Sequence, residues 1–164
     1  MTTKVFVSYS HANRKWFEEG LFGLIPWLAS ALRRRQVEFW YDLSDLKLAP
    51  GADYRKRIER AILDADFALL LISTDYLVSD FIRGIEMPLI KKRLDRQELS
   101  VIPILVDHAQ WQLADGFEWI KDRQMLPSEM TPLLRYTQNE VMWSDVRAEI
   151  LEALMSRIQE IEKA

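Results

Sequence analysis

The chain has 164 residues, the length of one domain built around one core. Its composition of 49% hydrophobic, 29% charged and 11% aromatic residues excludes disordered, fibrous and membrane-bundle proteins, and a net charge of -3 offers no cationic field to a nucleic-acid backbone. The lack of cysteine removes disulfides, iron–sulfur clusters, thiolate zinc sites and cysteine nucleophiles, and the two histidines, His11 and His108, are too few for a histidine-rich metal site.

The start, Met1-Thr2-Thr3-Lys4, carries no secretory signal pattern, and no run approaches the roughly 18 apolar residues that cross a bilayer, so the expected compartment is the cytoplasm. Residues 5–9 are β-branched and aromatic and close on Ser10, His11, Ala12 and Asn13, which marks a first strand. Over residues 16–35 apolar side chains recur every three or four positions, which predicts a helix ending in three arginines and broken near Phe22 and Gly23 by Pro26. Residues 37–41 form the next strand, and residues 42–51 a loop rich in Asp, Ser, Pro and Gly.

Residues 52–65 read as an amphipathic helix, and the apolar run 67–72 as a strand buried on both faces, as in the middle of a parallel sheet. Residues 77–93 are expected to be helical, and 101–106 a fourth strand whose Pro103 places it at an edge or bulge. The weakly periodic stretch 108–137 is expected to be loop with short helical turns, followed by a short fifth strand at 141–143 and an amphipathic helix at 145–162. Alternating strands and helices imply a flavodoxin-like α/β domain over residues 1–164, with a five-stranded parallel sheet in order 2-1-3-4-5 and helices on both faces. In such a fold ligands bind beyond the carboxyl ends of the strands, which directs attention to the loops after strands one, two and three.

Several chemistries fall on residue type. No glycine precedes Gly20, so the first turn is no dinucleotide or phosphate loop; Ser10-His11 and Ser73-Thr74 replace the acidic groups of a phospho-receiver; and no Gly-x-Ser-x-Gly elbow is present. One carboxylate is oddly placed. On the helix after the third strand, Val78, Phe81, Ile82, Ile85 and Leu89 form the expected core face, and Glu86 lies at its border, in line with Ile82 and Ile90. Partial desolvation there would raise its pKa and strengthen its attraction for a cation; the plainer alternative is a solvated flank residue paired with Lys91 or Arg83. Pro88 would clash with the carbonyl of Gly84, so a kink near Glu86 is expected. Asp42 and Asp45 have the plain alternative of capping turns, and Ser10 and His11 that of capping the first helix.

Together these residues form a wider pattern. Phe6-Val7-Ser8-Tyr9-Ser10-His11 resembles the first box of Toll/interleukin-receptor (TIR) domains, and Tyr41-Asp42-Leu43-Ser44-Asp45-Leu46 through Pro50-Gly51 resembles their BB loop. The stretch 66–72 with Ser73, Tyr76-Leu77, Ser79-Asp80-Phe81 and Glu86-Met87 is similar to the third strand and following helix of bacterial members, as is the run 101–106 with Trp111.

The resemblance implies a flavodoxin-like domain that hydrolyses NAD+ at the nicotinamide–ribose bond, giving nicotinamide and ADP-ribose or a cyclic isomer, as a signal in antiphage defence. It implies Glu86 as the catalytic group, no cofactor beyond the NAD+ substrate and no metal. Ser10, His11, Asp45 and Leu46 would line the nucleotide pocket. The family's helix aromatic would be Phe81, with four residues between it and Glu86 instead of the usual three, or Ile82 at the i−4 position. Activation would come from self-association, even filaments, in which the BB loop bearing Asp42, Pro50 and Gly51 closes over a neighbour, and a fused or separate sensor domain would supply the trigger. Neither nucleic acid nor membrane is an expected partner. The alternatives are a non-catalytic TIR–TIR adaptor module and a receptor for a nucleotide product.

Overall fold

A computed structural model of the protein describes residues 2–14, 23–41 and 52–163. Four strands, β1 (Thr3–Ser8), β2 (Val37–Trp40), β3 (Phe67–Ile72) and β4 (Ser100–Leu105), pair in parallel in the order β2-β1-β3-β4. All six residues of β3 are fully buried, as a continuous apolar run flanked by a strand on each side and helices on both faces must be. Burying each of its leucines stabilises the fold by about 1.5–3 kcal/mol, so this strand anchors the sheet.

The period of two along each strand divides the core. Val5, Val7, Phe67, Leu69 and Leu71 face one layer, made by helix α1 (Leu24–Ala31) and a long C-terminal helix, Glu140–Glu162, which contributes Val146, Ile150, Leu154 and Ile158. Phe6, Ala68, Leu70 and Ile72 face the other, made by α2 (Ala52–Asp64), α3 (Thr74–Leu77) and α4 (Met87–Asp95). Ser8 shares the face of Phe6, so the strand aims its hydroxyl into this second layer. Within α1, Pro26 stands in the first turn, where a missing amide hydrogen breaks no helical bond, and Gly23 precedes the first residue. The helix expected over residues 16–35 is thus present from Leu24, its arginines Arg33–Arg35 form an exposed 3-10 turn, and residues 15–22 lie outside the described residues.

The expected fifth strand is not formed. Residues 141–143 are the first turn of the C-terminal helix: the Asn139 side-chain oxygen accepts from the amides of Val141 and Met142, and Glu140 opens the helix with an acidic residue. Trp143 is then the first residue of the buried stripe that continues through Val146, Ile150, Leu154 and Ile158, while Val141 and Met142 are exposed. Along the stretch 108–137 short 3-10 turns occur at Trp111–Leu113 and Glu118–Asp122, followed by α5 (Leu133–Tyr136); the C-terminal helix is α6. Leu126 makes a single parallel bridge to Ile104 on the outer edge of β4, its amide donating to Pro103 and its carbonyl accepting from Leu105. Pro103 therefore does stand on an edge strand, as its missing amide hydrogen requires.

Candidate functional site

The segment expected as one helix over residues 77–93 is three pieces. After α3 the chain turns at Val78 and Ser79, winds through a π-helical turn at Ile82–Glu86, and continues as α4. Pro88 has no amide hydrogen for the carbonyl of Gly84, and its ring would strike that carbonyl in an α-helix. The wider turn answers both constraints, with the Met87 amide donating five residues back to Ile82. A π turn also takes up one extra residue, which accommodates the four residues between Phe81 and Glu86.

The turn carries Glu86 past the expected border. Ile82, Glu86, Ile90 and Leu94 form one buried stripe, and Glu86 is only 6% exposed, while Val78, expected in the core, is 67% exposed because it lies in the turn after α3. Neither cation suggested as its partner goes there. Lys91 pairs with Asp95 at 2.5 Å, and Arg83 donates to the carbonyls of Leu77 and Asp115. Instead, Ser8 at the carboxyl end of β1 donates a 2.9 Å hydrogen bond to Oε1 of Glu86. The Ser8 oxygen also lies 2.8 Å from the hydroxyl of Tyr76, which reaches the sulfur of Met87 at 3.4 Å. Ser8 and Tyr76 are fully buried. Burial pushes the Tyr76 phenol far above its ordinary pKa, the Glu86 charge pushes the same way, and the Ser8 hydrogen bond opposes both.

Above this buried group lies a rim of aromatic and polar side chains. Ser10 accepts from the Ala12 amide at 3.3 Å and so caps the 3-10 turn His11–Asn13. His11 is exposed; its Nε2 lies 3.0 Å from the Tyr54 hydroxyl, and its ring stands edge-on to Tyr9 with centroids 6.0 Å apart. The Tyr54 ring in turn meets Phe81, centroids 5.5 Å apart. The carboxyl ends of β1 and β3 are tied together below: Asn13, 1% exposed, accepts a 2.5 Å bond from Ser73 and donates a 3.1 Å bond to Asp75. Asp107, after β4, accepts from the amide and hydroxyl of Thr74 and so holds the start of α3.

Of the residues expected at a nucleotide pocket, Ser10, His11 and Phe81 stand on this rim, whereas Ile82 lies in the apolar core at 2% exposure. Asp42, Asp45, Leu46, Pro50 and Gly51 lie outside the described residues. Ser8, Asn13, Tyr54 and Tyr76 also belong to the site, although the sequence alone assigns them no role in it. A signal existed for the first: a serine on the core-facing side of a buried strand demands a polar partner, and Glu86 is the carboxylate that faces it.

A four-stranded parallel sheet with helices on both faces and a buried carboxylate at its carboxyl edge places this site in an α/β domain. The chain is a member of the TIR domain family, whose model matches residues 5–133. It is similar, at 36% identity over 111 residues, to the uncharacterized protein y4lF of Sinorhizobium fredii, an alignment that takes in 67% of this chain and 32% of the relative. The chain thus spans about a third of the length of the curated relative it matches.

Proposed function

We propose that the domain cleaves the nicotinamide–ribose bond of NAD+, giving nicotinamide and ADP-ribose or a cyclic isomer, as an assembly-activated step of bacterial immune signalling. The observation that carries the reading is Glu86, a carboxylate buried at the ligand-binding edge of the sheet and oriented by Ser8. Nicotinamide leaves as a neutral molecule and needs no general acid. The barrier lies in the positive charge that develops on the ribose, and a fixed carboxylate in a water-poor site stabilises that charge more than it stabilises the bound substrate. Ser8 keeps the carboxylate in place without neutralising it, so little reorientation accompanies the reaction. The aromatic rim of His11, Tyr54 and Phe81 offers flat surfaces suited to planar rings.

Self-association and a sensor region elsewhere in a longer protein belong to the same proposal. The test is chromatography of NAD+ incubated with protein that is dilute, concentrated or crowded into assemblies. Nicotinamide release that rises with assembly and vanishes in Glu86→Ala, with the circular dichroism spectrum unchanged, is the expected result. No release under any condition, beside an active control enzyme, would leave the domain a non-catalytic TIR–TIR module.

A further inference from the structure

We propose that Ser8, Tyr76 and the sulfur of Met87 form a hydrogen-bond chain that positions Oε1 of Glu86 and reverses its polarity when that carboxyl group takes up a proton. The argument is a count of hydrogens. Three contacts link the four groups: Glu86 to Ser8 at 2.9 Å, Ser8 to Tyr76 at 2.8 Å, and Tyr76 to Met87 at 3.4 Å. With Glu86 ionised, the carboxylate only accepts, so the single Ser8 hydrogen must go to it. The Tyr76 hydrogen then turns to the Ser8 oxygen, and the sulfur contact is left empty. With Glu86 protonated there are three hydrogens for three contacts. Glu86 donates to Ser8, Ser8 to Tyr76 and Tyr76 to Met87, and every bond runs the other way. The weak sulfur acceptor is thus the terminus that lets a fully buried phenol keep a partner in both states.

Among the described residues, each neighbouring element places identifiable groups near the turn. From β1 the facing group is the neutral hydroxyl of Ser8, and from α3 it is the Tyr76 phenol. From α2 Tyr54 meets the turn at Phe81, and Arg55 is paired with Glu59 at the surface. On the turn itself Arg83 is held by the Leu77 and Asp115 carbonyls, and on α4 Lys91 is held by Asp95. Ser8 is accordingly a positioning residue, and this assignment rests on reading Glu86 as the reactive group of the site.

Two variants move the Glu86 titration in opposite directions. Ser8→Ala removes a bond that is strongest to the ionised form, so the midpoint rises by about one pH unit, a tenfold gain in proton affinity. Met87→Leu, which conserves volume, removes an acceptor used only in the protonated form, so the midpoint falls, by about 0.3 units for so weak a bond. The measurement is the carboxyl carbon resonance of Glu86 in glutamate-labelled protein, assigned by its loss in Glu86→Gln, and it needs no turnover. Midpoints displaced with opposite signs support the chain. Midpoints that stay fixed, or that both move the same way as general loosening would make them, overturn it. If Ser8→Ala does not fold, the sign for Met87→Leu decides.

Nicotinamide release is followed beside the titration across the same pH range. An acid limb that tracks the shifted midpoints supports both the chain and the NAD+ reading. Opposite shifts in protein that releases no nicotinamide keep the chain and end the NAD+ reading. Turnover with unmoved midpoints does the reverse.

Discussion

Ser73, which follows β3, donates a 2.5 Å hydrogen bond to the side-chain carbonyl of Asn13, sixty residues earlier in the loop after β1. The bond fastens the two loops at the carboxyl edge of the sheet, and the remaining half of the Asn13 amide is spent on Asp75. An acidic residue is common at this point of the first TIR box. It could accept from Ser73 but could not donate to Asp75, so the asparagine and Asp75 belong together.

Asn13→Asp should therefore place two carboxylates in contact. Their repulsion raises the folded-state pKa of the pair above the unfolded value, so the penalty is absent below about pH 4 and grows as pH rises through the shifted values. At pH 7 the loss should be about 2 kcal/mol. Thermal melts of both proteins from pH 3 to 8 check this, and a gap that does not change with pH would contradict it.

Tyr76→Phe removes a buried hydroxyl from between Ser8 and Met87, and about 1 kcal/mol of stability at neutral pH should go with it. The raised phenol pKa adds an alkaline signature. Above about pH 10 the unfolded tyrosine loses its proton while the folded one keeps it, so the native protein loses up to about 1.4 kcal/mol per pH unit from this group. The phenylalanine variant lacks that slope. Urea titrations at pH 7, 10 and 11 should show the difference between the two proteins shrinking at the alkaline end.

Gly84 lies within the π turn without a left-handed φ, and an added Cβ there meets nothing within 4 Å. Gly84→Ala should stabilise the protein by about 0.5–1 kcal/mol through lower unfolded-state entropy, read as a higher Tm. Pro88 is the residue that imposes the π turn. Pro88→Ala restores an amide hydrogen facing the Gly84 carbonyl, which allows an α turn and rotates Phe81 and Ile82 relative to Glu86. Its effect should appear in the chemical shifts of Ser8 and Phe81 more than in Tm.

Arg93 bridges two elements through backbone oxygens: one guanidinium nitrogen donates to both Ile62 and Ala65 at 2.6 Å, and a second to Glu98 at 3.1 Å. These bonds satisfy carbonyls at the end of α2, where a cation is also favoured by the helix dipole. Arg93→Ala should lower stability by about 2 kcal/mol, and Arg93→Lys should recover less than half, since one ammonium group cannot span the three carbonyls. Chemical denaturation of the three proteins checks the order.

The four strands were readable because each is short, apolar and bounded by turn residues, and their parallel order follows from the helices between them. The strand expected at 141–143 is instead helical because Asn139-Glu140 just before it is a helix start and Trp143 falls on the stripe of Val146 and Ile150. Glu86 stood out from the residues alone, but its depth did not. A periodicity of 3.6 places it beside the core face, and only the π turn, which Gly84 and Pro88 hint at, rotates it fully inward. Ser8, Asn13 and Ser73 were hidden because their partners lie sixty or more residues away, and a lone serine or asparagine in a loop reads as a cap.

The lone bridge at Leu126 bears on how copies of this domain could meet. A bare edge strand invites another chain to continue the sheet, a common route to misassembly. On β4 that route is obstructed: Leu126 already occupies the outward carbonyl of Pro103 and the outward amide of Leu105, and Pro103 has no hydrogen to offer. Any ordered stacking of the domain on this side must therefore proceed through side-chain surfaces and loops, which leaves the sheet closed to runaway strand addition there while the opposite edge, β2, keeps its own rules.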